Sequence, residues 1–431
     1  MTIRTRGWKR FAGALACALI MQPGLVAAQA TTLTYVGWSQ DEAASKPTLT
    51  AMFEGFQKAN PGVKLDVIGY PWAQMQQNLV LRLRSNQPLS VAQMQERWLP
   101  TFAALDNLVD LNDVYGKANL EQQINPGLLR LGQIGGKQLG LPWTAGSIGM
   151  VANLKVLKDA GIAAPPTTVD EFVAALRAIK KAQPQSVPYA LMTKNNSSMS
   201  PEFQVWLWTF GGQLFDERGN VKVASPAAVK ALTFMTDLVR ENLAAKDIDR
   251  PDARRLFAQF QTAFYNDAPL ARGFARNNSG QGAAFDANVG AMATPVAKAG
   301  DAPQSLAWGH LLVLLKPASG TLNADSPAAK FAAHLALNTA SELAYFKDVG
   351  LFPVTNDALA AVAADPYATN WSRNARTSRR DETSNWANAA DLTTIVGEEV
   401  QGALLGQKSP QAAIDAMASR LEPRMREVRP K

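Results

Sequence analysis

The chain has 431 residues, 47% of them hydrophobic and 18% charged, with 43 Lys and Arg against 36 Asp and Glu. This composition excludes a disordered, collagen-like or low-complexity protein, and the length suggests two or three domains or a two-lobed unit. The net charge of +7 would direct attention to nucleic acid or membranes, but four basic residues lie within the first ten positions: Arg4, Arg6, Lys9 and Arg10.

The N-terminus has the three parts of a secretory signal peptide, which we predict to span residues 1–30. A basic segment is followed by an apolar stretch from Phe11 to Met21, and Ala28-Gln29-Ala30 places small residues at alternate positions. Cleavage after Ala30 removes four basic and no acidic residues, which lowers the net charge from +7 to +3. A nearly balanced mature chain gives no electrostatic reason to expect a nucleic-acid partner.

The single cysteine, Cys17, lies inside this leader. We interpret it as an ordinary apolar residue of the hydrophobic region of the signal peptide. The alternative is a lipid-anchored lipobox cysteine in Ala14-Leu15-Ala16-Cys17. The first interpretation is favoured because the apolar run continues to Met21 and because alanine is a poor residue at the first lipobox position. The mature chain should then contain no thiol, and no later segment approaches the ~18–20 apolar residues of a membrane span. We therefore predict an exported, periplasmic protein.

The first elements of the mature chain predict a βαβ unit. Leu33 to Val36 reads as a strand, and residues 63–67 alternate with period two. Between them an amphipathic helix carries Leu49, Met52, Phe53 and Phe56, and it ends at Asn60-Pro61-Gly62. Two strands joined by a crossover helix indicate a parallel sheet and the α/β class.

Later helices have clear start signals. Thr168 and Glu171 form a capping box, and serine-proline pairs begin at Ser225, Ser326 and Ser409. The apolar run from Leu311 to Leu315 is typical of a buried strand. No long linker separates these elements, so two lobes joined by chain crossings are favoured over two independent domains.

Common catalytic and metal-binding motifs are missing from the sequence. There is no H-E-x-x-H, phosphate loop or nucleophile elbow, and the two histidines have no metal-binding spacing. His334 lies on an apolar helix and is interpreted as structural, whereas His310 opens a buried strand and could face a cleft. The spacing of the acidic residues singles out no pair for glycoside hydrolysis. We predict no cofactor and no metal.

Tryptophans give the positive signal. Several lie at predicted element ends beside Gly or Pro, at Trp38, Trp72, Trp143 and Trp308. Sugars pack their C–H faces on aromatic rings, and their hydroxyl groups need charged or amide partners. This arrangement favours a carbohydrate cleft, although single tryptophans can also belong to the core.

Five segments in order resemble one family, the extracytoplasmic solute-binding proteins of ABC importers, in the carbohydrate-binding branch that includes maltose-binding protein. The resembling segments are LTAMFEGFQKANPG (49–62), LGLPWTAGSIGMVANLKVLKDAG (139–161), PPTTVDEFVAAL (165–176), WLWTFGGQLFDERGNVKVASPAAVKALTFMTDL (206–238) and the tail 398–421. The chain departs from the family at Ala152, where Tyr is usual, and at Val169, where Trp is usual. Leu270 also stands where an aromatic residue often stacks on the sugar, which argues against a maltose-like ligand.

The resemblance implies an α/β fold of two periplasmic-binding-protein lobes, with a ligand cleft between them that closes about crossing hinge segments. It implies an N-terminal lobe of residues 31–141 plus 296–340 and a C-terminal lobe of residues 146–292 plus 341–431. It also implies capture of a mono- or oligosaccharide and delivery to a membrane permease, by a monomer that performs no chemistry on its ligand. An acidic or phosphorylated sugar or a polyol, and less favourably an exported glycoside-active enzyme, remain alternatives.

Candidate ligand contacts follow from the same resemblance by position. They are Trp38, Gln40, Asp41, Glu96, Arg97, Trp143, Thr144, Glu202, Trp206, Asp267, Trp308, Gly309, Arg373 and Arg376. If the ligand is anionic, Arg97, Arg373 and Arg376 are the residues expected to clamp it.

Overall fold

The computed structural model describes residues 1–3, 30–195, 198–375 and 377–428, without the side chains of residue 370 and of residues 372–375. Nearly all of the predicted signal peptide, including Cys17, therefore lies outside the described residues. The same holds for Arg376 and for the side chain of Arg373.

The first lobe begins with the βαβ unit that the sequence predicts. It consists of β1 (Thr31–Gly37), α1 (Lys46–Ala59) and β2 (Val63–Gly69). The two strands pair in parallel, from Thr31 opposite Val63 to Gly37 opposite Gly69. The apolar residues of α1 are buried, as their spacing predicts. The next elements are α2 (Trp72–Arg84), β3 (Val91–Gln95), α3 (Leu99–Ala103), α4 (Leu111–Tyr115), α5 (Lys117–Gln123), α6 (Pro126–Leu129), β4 (Gln133–Ile134) and β5 (Lys137–Gln138).

A long strand then carries the chain into the second lobe. The elements are β6 (Leu141–Asn153), α7 (Leu154–Asp159), α8 (Val169–Ala182), α9 (Met199–Thr209), α10 (Pro226–Arg240), α11 (Arg250–Ala258), β7 (Phe264–Asp267), α12 (Ala271–Ser279) and β8 (Val289–Met292). The predicted start signals are confirmed, because Thr168 and Glu171 form a complete capping box and Ser225 caps α10.

A second long strand returns to the first lobe and is followed mainly by helices. The elements are β9 (Ser305–Leu314), α13 (Pro327–Ala336), α14 (Thr339–Val349), α15 (Asn356–Val362), α16 (Pro366–Ala375), β10 (Ser378–Arg379), α17 (Ala389–Leu404) and α18 (Pro410–Val428).

The main sheet is mixed and continuous through both lobes. Its order is β2-β1-β3-β9-β6-β7, with β10 beside β9 and β8 beside β6. Strand β6 pairs antiparallel with β9 from Leu141 to Ile148, and its later residues pair with β7 and β8. Strands β6 and β9 therefore belong to both lobes and connect them, which confirms a two-lobed α/β fold with crossing strands.

Two lobe boundaries differ from those that the resemblance implies. Val296 still bridges to Thr168 in the second lobe, so the return crossing is made by β9 and not near residue 296. Helix α14 packs on α1 and α13, and Tyr345 lies in the same core cluster as Leu49. The main-chain N–H of Asn125 also donates to Val354. Residues 341–355 thus pack with the first lobe, because the apolar face of α14 is buried there.

Each lobe has its own apolar core. In the second lobe Phe172, Trp206 and Met235 pack with Ile414 and Leu421 of the C-terminal helix. No helix within the described residues is long and apolar enough to cross a membrane. In the same part of the chain no three His, Cys, Asp or Glu side chains cluster closely enough to hold a metal ion.

Candidate functional site between the lobes

A cavity of about 270 Å³ lies between the two lobes. The first lobe, the crossing strands and the second lobe all contribute to its wall. Its principal lining residues are Trp38, Glu42, Trp72, Gln95, Arg97, Ile148, Trp308, His310, Arg250, Arg254, Asp267 and Leu270. An enclosed concave site of this kind, lined by aromatic rings and a few charged groups, is typical of a small-molecule binding site.

Strand topology brings the first-lobe residues to the cavity. Strands β1 and β3 are parallel neighbours, so their carboxyl ends meet at the same edge of the sheet. Trp38 directly follows β1, Gln95 ends β3, and Arg97 lies in the single turn that follows. Ligands of open α/β sheets bind at this edge.

Aromatic rings form one wall of the cavity around His310. The ring centroid of His310 lies 4.7 Å from that of Trp38 and 4.3 Å from that of Trp308. Burial and, to a smaller extent, the charge of Arg97 together lower the pKa of His310 to about 3. The ring is therefore neutral at neutral pH, and its Nδ1 lies 3.2 Å from the side-chain nitrogen of Gln93.

The second-lobe wall carries an ion cluster in which Asp267 is paired with Arg254 and Arg250. Arg254 donates to both carboxylate oxygens of Asp267, at 2.8 and 3.0 Å, and Nη1 of Arg250 donates to the carbonyl of Asn266 at 2.7 Å. The two arginines are four residues apart on α11, so both reach the end of β7. Burial raises the pKa of the Asp267 carboxyl, but the two guanidinium groups outweigh this effect and bring it below its ordinary value.

The first-lobe wall carries polar groups that lack a protein partner. Within the described residues the guanidinium of Arg97 makes no hydrogen bond or ion pair, and it lies over the ring of Trp72 at 5.6 Å. The side-chain oxygen of Gln95 is buried without a hydrogen-bond partner. Burial raises the pKa of Glu42 to about 7, against the lowering effect of Arg254. Buried polar groups are normally hydrogen-bonded, so the buried Arg97 and Gln95, together with the half-buried Glu42, are the natural contacts for a ligand.

Arg97 also borders a second cavity of about 310 Å³. Hydroxyl-bearing side chains line much of it, including Thr383, Ser384 and Thr393. The arginine therefore stands between an aromatic, charged chamber and a polar one.

Four of the candidate contacts line the first cavity, namely Trp38, Arg97, Asp267 and Trp308. The other candidates within the described residues are not on the wall of that cavity, and Arg376 and the side chain of Arg373 lie outside the described part of the chain.

The candidates nearest the first-lobe wall support it from behind. Gln40 donates to the carbonyls of Gly37 and Ile68, both at 3.0 Å, and Asp41 is exposed. Glu96 accepts the main-chain N–H of Gly309 at 3.1 Å, which ties β9 to the turn after β3. Gly309 is required there, because a Cβ would lie 2.9 Å from the carbonyl oxygen of Thr144.

The remaining candidates pack inside the lobes. Trp143 stacks on Tyr345 with centroids 5.2 Å apart, and Thr144 is buried on β6 opposite His310. Trp206 is fully buried in the core of the second lobe. Glu202 is also buried, and it accepts hydrogen bonds from Tyr189 at 2.6 Å and Asn266 at 2.8 Å. Trp143, Trp206 and Glu202 pack or form hydrogen bonds inside the protein, so they are not proposed as ligand contacts. The buried hydroxyl of Thr144 has no hydrogen-bond partner among the described residues, but Thr144 does not line the cavity.

Other cavity residues are not among the candidate contacts. The sequence pattern could have identified Arg250 and Arg254, since they form an i, i+4 pair in a helix that begins after a capping residue, Asp249. Glu42 adjoins the predicted Asp41, and only the short helical turn after β1 decides which of the two carboxylates faces inward. Gln95 has no sequence signal beyond its place at the end of β3.

Comparison with known proteins gives a consistent result. Residues 40–342 match the family described as bacterial extracellular solute-binding proteins. The chain is 25% identical over 214 residues to a probable ABC transporter-binding protein of Deinococcus radiodurans, covering 48% of this chain and 50% of that one. It is 28% identical over 238 residues to the diacetylchitobiose binding protein DasA of Streptomyces coelicolor, covering 54% of each. The match thus spans about half the length of these curated relatives.

The fold is shared with solved structures. The solute-binding protein of an ABC transporter from Thermotoga lettingae, bound with α-D-tagatose, has a TM-score of 0.81 at 22% identity, over 92% of this chain and 100% of that one. The family match covers well over half of the chain, and the two lobes, crossing strands and enclosed cavity are those of its fold. This chain belongs to the bacterial extracellular solute-binding proteins.

Proposed function

We propose that this protein is the substrate-binding component of an ABC importer, which captures a mono- or short oligosaccharide and delivers it to a membrane permease. The observation that carries the proposal is the enclosed cavity between the lobes, where tryptophan rings and buried polar groups without protein partners face each other. The family membership and the sugar-binding relatives support it.

The size of the cavity favours a small ligand. Its volume of about 270 Å³ lies near the lower end of the ~300–1,000 Å³ range of ligand sites. A single sugar ring or a disaccharide suits this space, with the polar chamber beyond Arg97 available to a second ring.

Capture follows from the contacts on the two walls. The C–H faces of a sugar pack on the tryptophan rings, and its hydroxyl groups bond to the amide of Gln95 and to charged groups. Since the walls belong to different lobes joined by β6 and β9, a ligand that bonds to both stabilises the closed arrangement.

We infer that the protein binds its ligand without chemical change. A glycosidase requires a protonated carboxylic acid opposite a second carboxylate. Glu42, whose pKa is raised to about 7, meets the first requirement, but the second carboxylate, Asp267, is held by Arg254 and Arg250 and is not free to act as nucleophile or base. Export by an N-terminal signal peptide, a monomeric state and a permease contact on the lobe faces beside the cavity are parts of the same proposal.

A thermal-shift screen of residues 31–431 tests the function. The panel contains neutral sugars, sugar acids, sugar phosphates and polyols. A ligand at 100 times its Kd adds about 2.7 kcal/mol to the free energy of unfolding, which raises Tm by several degrees. No shift with any carbohydrate, also after the protein is unfolded, stripped and refolded, would contradict the proposal. Release of product from an oligosaccharide panel would instead indicate an enzyme.

A further inference from the structure

We propose that the ligand is an acidic sugar whose carboxylate binds between Arg97 of the first lobe and Arg250 of the second. This inference rests on the proposed function and specifies the chemical class of the solute. It depends on one feature of the cavity: Arg97 and Arg250 line it from different lobes, and within the described residues Arg97 has no ion-pair partner.

Arg97 is a buried cation with open donors. It is 7% exposed, and within the described residues no carboxylate oxygen lies within ion-pair distance of it. The two acids that act on its charge lie beyond ion-pair distance: Glu96 accepts the N–H of Gly309, and Asp381 accepts from Gln204 and Thr383 through Oδ1. A buried guanidinium without partners is costly, so this group requires an acceptor from the ligand.

Arg250 completes the pair from the opposite lobe. Its two hydrogen bonds, to the carbonyl of Asn266 and to Asp267, both use Nη1. Its other guanidinium nitrogens have no partner among the described residues. Burial lowers the pKa of Arg97, and the positive charge of Arg250 lowers it further, against the raising effects of Asp381 and Glu96. The two cations therefore repel each other across the cavity, and an anion between them would convert that repulsion into a bridge between the lobes.

The other acidic groups on the wall do not fill this role. Asp267 is committed to Arg254, and Asp249 caps α11 and lies 3.6 Å from Lys194. The charges that act most on Glu42 are those of Arg254 and Asp267, and within the described residues Glu42 makes no ion pair with Arg97. His310 adds no charge because it is neutral.

The size of the cavity favours a carboxylate over a phosphate. Arg254 and Asp267 neutralise each other, which leaves the charges of Arg97 and Arg250 for a ligand anion, and in a space of about 270 Å³ a carboxylate attached directly to a sugar ring fits better than a bulkier phosphate group. A carboxylate also accepts two parallel N–H bonds from a guanidinium. The ring of Trp72 beneath Arg97 and the free amide of Gln95 beside it suit the sugar ring that carries such a group.

Matched pairs of sugars test the inference on the mature protein. Isothermal titration compares glucose with glucuronate, galactose with galacturonate and mannose with mannuronate. We expect at least one acid to bind about 10- to 100-fold more tightly than its neutral partner, since a hydrogen bond to a charged group is worth that much. Arg97→Gln should weaken binding of the acid much more than binding of the neutral sugar, so that the preference is lost. Arg97→Lys keeps the positive charge but cannot donate two parallel N–H bonds to one carboxylate. It should therefore reduce the preference for the acid by an intermediate amount.

The control is Arg218→Gln, the same charge change on an exposed turn of the second lobe, which should leave every affinity unchanged. Tm of each variant confirms that it is folded. Neutral sugars that bind as tightly as their acids, or an Arg97→Gln variant that weakens both members of a pair equally, would overturn the inference while the sugar-binding function stands. Tighter binding of glucose 6-phosphate than of any uronate would overturn the choice of a carboxylate. Absence of binding by any carbohydrate would remove the proposed function itself.

Discussion

The two walls of the cavity differ in whether their charged and polar groups have partners within the protein. The second-lobe wall pairs Asp267 with Arg254 and Arg250 before any ligand arrives. The first-lobe wall leaves Arg97, Gln95 and Glu42 without hydrogen-bond partners among the described residues. The ion pairs of the second-lobe wall are formed without a ligand, so removing one of their members should lower stability. The unpaired groups of the first-lobe wall gain partners only from a ligand, so they should determine affinity.

The largest expected effect follows from breaking the paired wall. Asp267→Asn leaves two buried guanidinium groups without their counter-ion, and it should lower the free energy of unfolding by about 3–5 kcal/mol. Chemical denaturation at pH 7 measures this loss. Asp106→Asn is the control, since that carboxylate pairs with Lys316 at the surface and its removal should leave stability nearly unchanged. A loss below about 1 kcal/mol for Asp267→Asn would show that the cluster is not the support described above.

Acid should weaken the same wall. The Asp267 carboxyl has a folded-state pKa below its ordinary value of about 3.9. Its contribution is therefore complete above about pH 4 and is lost as the pH falls further, through the folded-state pKa. Asp267→Asn should remove this part of the acid sensitivity.

Two tryptophans near the cavity should differ in their roles, because one lines the cavity and the other supports its wall from behind. Trp72 is half-buried beside Arg97, so Trp72→Ala should weaken sugar binding by about 1–3 kcal/mol with little change in Tm. Trp143 is buried against Tyr345 behind the wall, so Trp143→Phe should lower Tm and leave affinity nearly unchanged. Titration and thermal unfolding of both variants, with the sugar found in the screen, measure the difference. An equal loss of affinity in the two would contradict the distinction.

Glu42 gives a smaller, pH-dependent test of the unpaired wall. Its pKa is raised by burial to about 7, so the folded ligand-free protein holds a proton that the unfolded chain releases near pH 4.5. Stability therefore falls as the pH rises from about 4.5 to 7. Glu42→Gln should reduce this slope and increase the free energy of unfolding at pH 8 by on the order of 1 kcal/mol. Denaturation curves between pH 4 and 8 measure it, and an unchanged slope would contradict the burial of a charged Glu42.

The smallest effect is expected far from both walls. Thr168→Ala removes the capping box of α8, which should cost about 0.5–1 kcal/mol of stability. Ligand affinity should not change, because α8 does not line the cavity. Denaturation and titration of the same variant test both halves of this prediction, and altered affinity would show that the lobe transmits strain to the site.

Local chemistry accounts for the parts of this fold that the sequence predicts well. The spacing of Leu49, Met52, Phe53 and Phe56 predicts α1, and the capping residues at 168 and 225 predict where helices begin. The order of five family-like segments predicts the two lobes. Of the candidate contacts, Trp38, Arg97, Asp267 and Trp308 lie at the cavity, because residues that follow the carboxyl ends of strands meet at one edge of the sheet.

The sequence by itself therefore determines the elements, the fold class and the family, since these depend on periodicity, caps and turns that act over a few residues. Only the tertiary structure decides which polar groups are paired. Asp267 and Arg254 are 13 residues apart and form a bidentate ion pair, whereas Arg97 and Arg250 are brought opposite each other from different lobes. Burial and the distance between charges set the chemistry of the cavity, and both arise only when the lobes pack together.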